Sequence, residues 1–222
     1  GTIRVTGSLQ FLGPVQLDTA VLQILAGELD FNGAVTSGIF NTSLSITTAG
    51  EGQGMLIGGD ANDTPSLDIT QSDLAQLAGV KAVKFGSDAY GETMTITGNL
   101  DVSYGLSFTA GSIVFNGTLR APNLRMTCTV GSITLTGNLS NNNTFGTAQF
   151  DFAGPVIVDG IVNIVQTGNP LYVQSNITWE SAVEGQGELS VVATVITFNS
   201  AIGSTNSFNR IALSSTSSTI LW

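Results

Sequence analysis

The chain has 222 residues, only 10% of them charged, and its 16 acidic side chains against six basic ones give a formal net charge of −10. A nucleic-acid binder needs clustered cations to displace counterions, and Arg4, Lys81, Lys84, Arg120, Arg125 and Arg210 are too few and too scattered in sequence for that class. The absence of histidine removes the commonest general base and transition-metal ligand, and one cysteine, Cys128, permits no intrachain disulfide.

No apolar run reaches the length of a membrane-spanning helix and no signal-peptide pattern opens the chain, so the expectation is a soluble segment without membrane insertion. Because Gly1 enters a strand pattern at once, the segment reads as processed or cut from something longer. With 27 glycines and 7% aromatic residues, the composition is that of strands joined by tight turns.

In chain order the first phrase is "TIRVTGSL" (2–9), an alternating strand broken at a glycine. "LDTAVLQILAG" (17–27) follows and reads as part of a longer coil because Leu22, Ile24 and Leu25 crowd together. "ELDFNGAV" (28–35) repeats the opening phrase, and "LSITTAG" (44–50) supplies a second strand. From 51 to 91 the period is lost; within that stretch "DLAQLAG" (73–79) predicts one or two helical turns capped by Ser72 or Thr70.

The regular phrases then resume as "TMTITGNL" (93–100), "SIVFNGTL" (112–119) and "SITLTGNL" (132–139), with weaker copies "PVIVDGIV" (155–162), "NITWESAV" (176–183) and "VITFNSAI" (195–202). Between them lie second strands: "LSFTAG" (106–111), "LRMTCTVG" (124–131), "AQFDFAG" (148–154), "LYVQS" (171–175), "LSVVAT" (189–194) and "IALSS" (211–215). The aligned positions advance through 98, 117, 137, 160, 181 and 200, a step of 19 to 23 residues. Self-similarity at that period is one coil of a solenoid.

Aligning all copies on the glycine gives three apolar columns. They are Ile3, Leu29, Met94, Ile113, Ile133, Val156, Ile177 and Ile196; then Val5, Phe31, Ile96, Phe115, Leu135, Val158, Trp179 and Phe198; then Leu9, Val35, Leu100, Leu119, Leu139, Val162, Val183 and Ile202. The intervening polar residues form the wet side, with Thr and Asn ladders adding hydrogen bonds between coils. The predicted fold is all-β, a right-handed parallel β-helix forming one domain over 1–222 with wider coils around 51–91.

The stretch "GMLIGGDANDTPSLDITQSDLAQLAGVKAVKFGSDAYGETMTITGNL" (54–100), followed by "LSFTAGSIVFNGTL" and "LRMTCTVGSITLTGNL", resembles the recurring phrases of large bacterial exoproteins of the filamentous haemagglutinin type. The resemblance covers most of the chain. It implies a right-handed parallel β-helix from a secreted or surface-displayed adhesin, a shaft whose partners are other surfaces or cells. The secretion-signal domain usual at the start of that family is not visible, and the motifs carry no catalytic signature.

"GGDAND" (58–63) partly matches the calcium-binding nonapeptide turn, which would place Asp60 and Asp63 on the ion; Ala61 replaces a glycine and the phrase does not recur, so an acidic surface turn is the simpler reading. Paired carboxylates for glycosidic cleavage are Asp60 with Asp63, Asp68 with Asp73, Asp151 with Asp159 and Glu180 with Glu184. Their scatter through turns favours a solvated acidic face, and the negative charge favours a neutral or cationic partner over an acidic polysaccharide. Cys128 continues an inward alternation from Leu124 and Met126 to Val130 and reads as core filler, as does Trp179 in its column. Trp222, Tyr90, Tyr104 and Tyr172 are single candidates for stacking on sugars, and the N-x-S/T triplets at Asn41, Asn62, Asn116, Asn138, Asn142 and Asn176 matter only in a eukaryotic source.

No cofactor or metal is called for. The sequence therefore favours a non-enzymatic extracellular structural and adhesive solenoid, either a shaft segment beside neighbouring segments of a longer chain or a subunit stacking end to end through uncapped coils, with a surface receptor or glycan as possible partner. The competing classes are a carbohydrate-active β-helix enzyme, lyase or hydrolase, and a receptor-binding module using the coil at 51–91.

Overall fold

The computed structural model describes residues 1–38, 42–50, 52–59, 66–89, 91–141, 146–166 and 173–221. It is a parallel β-solenoid of about 9 turns, 61% strand and 3% helix. Three ladders run along its axis. The first wall stacks Thr2–Arg4, Val21–Ala26, Ser43–Thr48, Ala82–Gly86, Gly105–Ala110, Asn123–Cys128, Gly146–Ala153 and Val173–Trp179, then the ends of Glu188–Phe198 and Arg210–Leu221.

Alternation decides what each wall buries. In the first wall, Ile24, Ile46, Phe85, Phe108, Met126, Phe152, Trp179 and Phe198 lie in one register column and all are buried. Its aromatic members stack: Trp179 lies 4.4 Å from Phe198 and 5.5 Å from Phe152, centroid to centroid, with nearly parallel rings. Like residues meet because neighbouring coils are about 4.8 Å apart and share one pleat.

The second wall runs through Met55, Met94, Ile113, Ile133, Val156 and Val183, and the third through Leu100, Leu119, Leu139, Ile164, Val191 and Leu213. Strands Thr93–Asp101 and Ser112–Arg120 pass from the second wall into the third without a break. They bend at Gly98 (φ +80°) and Gly117 (φ +143°), a region closed to most L-residues. The next corner carries Gly137, where a Cβ would run into the carbonyl of Gly117. The repeated phrase thus has a steric cause, since glycine stacks on glycine at each corner.

Outside, the expected polar ladders are present. The Thr118 hydroxyl donates to Asn99 at 2.8 Å and the Asn163 amide to Asn138 at 3.0 Å.

The register departs from the glycine alignment at both ends of the chain. The pairs Ile113 with Ile133, Phe115 with Leu135 and Leu119 with Leu139 are as expected, but Val156 stacks on Val183, not on Ile177. Ile177 and Trp179 continue the first wall beneath Phe150 and Phe152, and Ile202 bridges to Val183. Leu139 meets Ile164, while Val162 meets Leu189. At the start, Ile3 pairs with Ile24 and Leu9 with Leu29, each on a different wall from the one the alignment gave it. All three walls share one alternation, so sliding a segment by a whole wall leaves the pattern intact.

Residues 17–27 form no widened coil: Val21–Ala26 is an ordinary strand with Leu22 and Ile24 inside and Leu25 half-buried outside. Val130 is likewise not inward-facing but 79% exposed, the strand having ended at Cys128.

The irregular coil holds one strand out of sequence order. Leu67–Ile69 pairs in parallel with Met55–Ile57 and packs on its other side beside Glu28–Phe31. The chain therefore steps back along the axis before the helix Gln71–Gln76 carries it forward to Gly79, which bridges Thr36 on the third wall. Thr70 is the N-cap in a complete capping box with Asp73, which settles the choice between Thr70 and Ser72.

Candidate functional site

Asp60, Asp63, Tyr90, Tyr172, Trp222, Asn41, Asn62 and Asn142 lie outside the described residues. The described members of the carboxylate pairs are engaged in the fold or held apart. Asp73 is buried; one oxygen accepts the Phe31 N–H at 2.7 Å and the other accepts from the Thr70 N–H and hydroxyl. Asp68 is buried on the neighbouring strand. The two lie close to Glu28, whose carboxyl is raised above the usual range by burial first and then by the charges of Asp68, Asp30 and Asp73. Glu28 and Asp30 were not singled out from sequence, because it is the strand inserted out of sequence order that brings Asp68 to them.

Asp151 lies on the outer side of the first wall, itself buried, and accepts from the Gln149 amide at 2.8 Å, whereas Asp159 follows the second-wall strand Val156–Val158 and is exposed. Glu180 and Glu184 also part. Glu180 approaches Arg125 at 3.6 Å. Glu184 clasps the loop after Gly203, accepting from the N–H groups of Ser204, Thr205 and Asn206 and from the Ser204 hydroxyl. Those bonds, the Asn206 N–H foremost and the Ser204 hydroxyl next, hold its carboxyl below the ordinary range.

Tyr104 is buried and its hydroxyl donates to the Leu74 carbonyl at 2.9 Å, so it presents no ring to a sugar; burial pushes its phenol up. Trp179 is core. Cys128 is half-buried, packs on the core and donates to the Gly111 carbonyl. Among the described residues, no group of three or more Asp, Glu or Cys side chains is gathered so as to hold a metal ion, and no helix is long and apolar enough to cross a membrane.

A broad concavity lies elsewhere, on the outer face of the first wall. It is a groove of about 600 Å³ that crosses the strands and runs with the axis from Val21 to Gln149. Its floor is the outward column Ser43, Ala82, Gly105, one position before the inward residues Leu44, Val83 and Leu106. Beside it runs a second outward column, Ser45, Lys84, Ser107, Arg125, Asp151. Lys81 stands at the corner, exposed.

Three of the chain's six basic residues therefore line one groove. Lys84 faces Asp88 at 3.6 Å; Arg125 faces Asp151 at 3.8 Å and Glu180 at 3.6 Å. Sequence reasoning missed the convergence because Lys84 and Arg125 are far apart in sequence. The signal was nonetheless there: "VKF", "LSF", "LRM" and "FDF" put Lys84, Ser107, Arg125 and Asp151 between two inward apolar residues each time. No protein-family model, no curated protein and no solved structure matches this chain.

Proposed function

We propose that this chain is a non-enzymatic, extracellular β-solenoid with a structural and adhesive role, a shaft segment of a secreted or surface-displayed protein of the filamentous haemagglutinin kind. The observation that supports it most is how the described candidate carboxylates are used. Asp73 caps a helix and closes a ladder gap, Glu184 clasps a loop, Asp151 and Glu180 face an arginine, and Asp159 is exposed. A pair for glycosidic cleavage would face each other across a substrate; Asp73, Asp151, Glu180 and Glu184 are instead taken up by backbone groups or by Arg125.

The partners of such a segment are further solenoid coils, joined by the same parallel ladder at its ends, and a surface component bound along its walls. Two measurements test this reading. Electron microscopy of the purified protein is expected to show rods or filaments of uniform width. A panel of polysaccharides, with and without calcium, is expected to yield no new reducing or unsaturated ends; turnover lost in Glu28→Gln or Asp68→Asn would overturn the proposal.

A further inference from the structure

We infer that the groove of the first wall binds a linear anionic polysaccharide, its uronate carboxylates seated on Lys81, Lys84 and Arg125. This deepens the adhesive reading and rests on it.

Charge distribution is the first observation. A chain of net charge −10 has six basic residues, and half of them line this groove. Net charge by itself favours a neutral or cationic partner, but at physiological salt a charge is screened beyond roughly 8 Å, and the groove lining itself carries three cations against one carboxylate, Asp151, with Asp88 and Glu180 beside it. Those cations are loosely held. The contacts of Lys84 with Asp88 and of Arg125 with Asp151 and Glu180 span 3.6 to 3.8 Å, longer than charged hydrogen bonds, and the Lys84 and Arg125 side chains are 42% and 50% exposed. Among the described residues Lys81 has no ion pair, so a ligand carboxylate displaces nothing there.

The second observation is Gly105. Several glycines here are imposed by backbone, as at Gly111, Gly117 and Gly137, where a Cβ would strike the neighbouring coil. A Cβ on Gly105 would meet only Ala82 and Asn123, each at 3.9 Å, an ordinary contact. Glycine weakens a strand, and nothing in the packing requires it at this position. What it leaves is depth in the groove floor, between Ala82 and Asn123 and beside both cationic side chains.

The third is the direction of the groove. Backbone donors and acceptors of this wall are bonded coil to coil, so a peptide finds no free strand edge to extend. What lines the groove is ammonium, guanidinium, the hydroxyls of Ser43, Ser45 and Ser107, the Asn123 and Gln149 amides, and one carboxylate, Asp151, which faces Arg125. These suit a chain rich in hydroxyls with carboxylates at intervals. Lys84 and Arg125 are two coils apart, about 9.5 Å along the axis, and the groove spans five coil steps, roughly 24 Å, long enough for several sugar units.

The test is calorimetric titration of the purified protein with oligogalacturonate, and with the same oligomer methyl-esterified so that its backbone is kept and its charge removed. Binding of the acid form, at least tenfold weakening by esterification and by 0.5 M salt, and a similar loss in Lys81→Gln are expected. Gly105→Ile fills the floor with a strand-favouring side chain; it is expected to abolish binding while circular dichroism and the unfolding midpoint stay in place. Equal affinity for the ester, or unchanged binding in both variants, overturns the inference. So does equal affinity for a single-stranded oligonucleotide that responds to the same variants, which marks a general polyanion patch. Absence of binding also overturns it and leaves the shaft reading standing, whereas binding accompanied by new chain ends would keep the site and overturn the shaft reading.

Discussion

The coils between 93 and 140 and the coil between 52 and 89 are written in the same strand grammar, yet they close their hydrogen bonds differently. In the regular coils each strand finds the next one directly below it, and side chains add bonds such as the outer rung of Thr118 on Asn99 and the pair of Arg120 with Asp101 to a ladder already closed. In the irregular coil a strand is inserted against chain order, and side chains complete what the ladder leaves open: Asp73 takes the Phe31 N–H, and Tyr104 reaches the Leu74 carbonyl. A buried backbone group must be paired by something. The comparison shows that irregularity in a solenoid is purchased with specific polar side chains, whereas regularity needs only shape.

The contrast is broken most strongly from the regular side. Trp179→Ala removes the middle ring of a three-ring pile that is wholly buried, and a loss of about 3–5 kcal/mol in urea unfolding is expected. Asp73→Ala acts on the irregular coil, removing the capping box and the acceptor of Phe31; about 1–3 kcal/mol is expected, with amide exchange accelerating first in 67–80. Tyr104→Phe deletes a single buried hydroxyl and is expected to cost about 1 kcal/mol, again read in the same denaturant experiment.

The smallest effects are those of pH, and they differ in sign between Glu28, packed against the irregular coil, and Glu184, in the last coils. Glu28 has a raised folded-state value, so its contribution is fully present below the ordinary carboxylate pKa and is lost as pH rises through the raised one. Glu28→Gln is therefore expected to raise the neutral-pH midpoint, the gain vanishing toward acid. Glu184 has a lowered value, so its contribution is present above the ordinary pKa and is lost as pH falls through the lowered one. Glu184→Gln is expected to lower the neutral midpoint and to converge with the parent in acid. Unfolding midpoints measured from pH 3 to 8 check both, and two shifts of like sign would contradict the assignment.

Much of the architecture was legible because solenoid coils repeat their instructions. Period, inward alternation and the glycine corner sufficed to stack Ile113 on Ile133 and Leu119 on Leu139. Register after Val158 was not legible, since "NITW" reads equally well on two walls and only the stacking of Phe152 on Trp179 decides between them. The strand Leu67–Ile69 was hidden for another reason: its place beside Glu28–Phe31 depends on tertiary order, which local pattern does not encode. The groove was half-legible. Its cations occupy a recognisable outward position, but depth at Gly105 depends on what lies above and below it.

The orientation of the ladders carries a mechanical consequence. Interstrand hydrogen bonds lie along the axis, so tension applied end to end loads the coils in series and peels them one at a time. A coil of 19 to 23 residues adds only about 4.8 Å to the folded rod but releases roughly 70 Å of extended chain. Under pulling, such a rod yields in many small, evenly spaced ruptures, and a tether with that response lengthens more than tenfold before any covalent bond is strained.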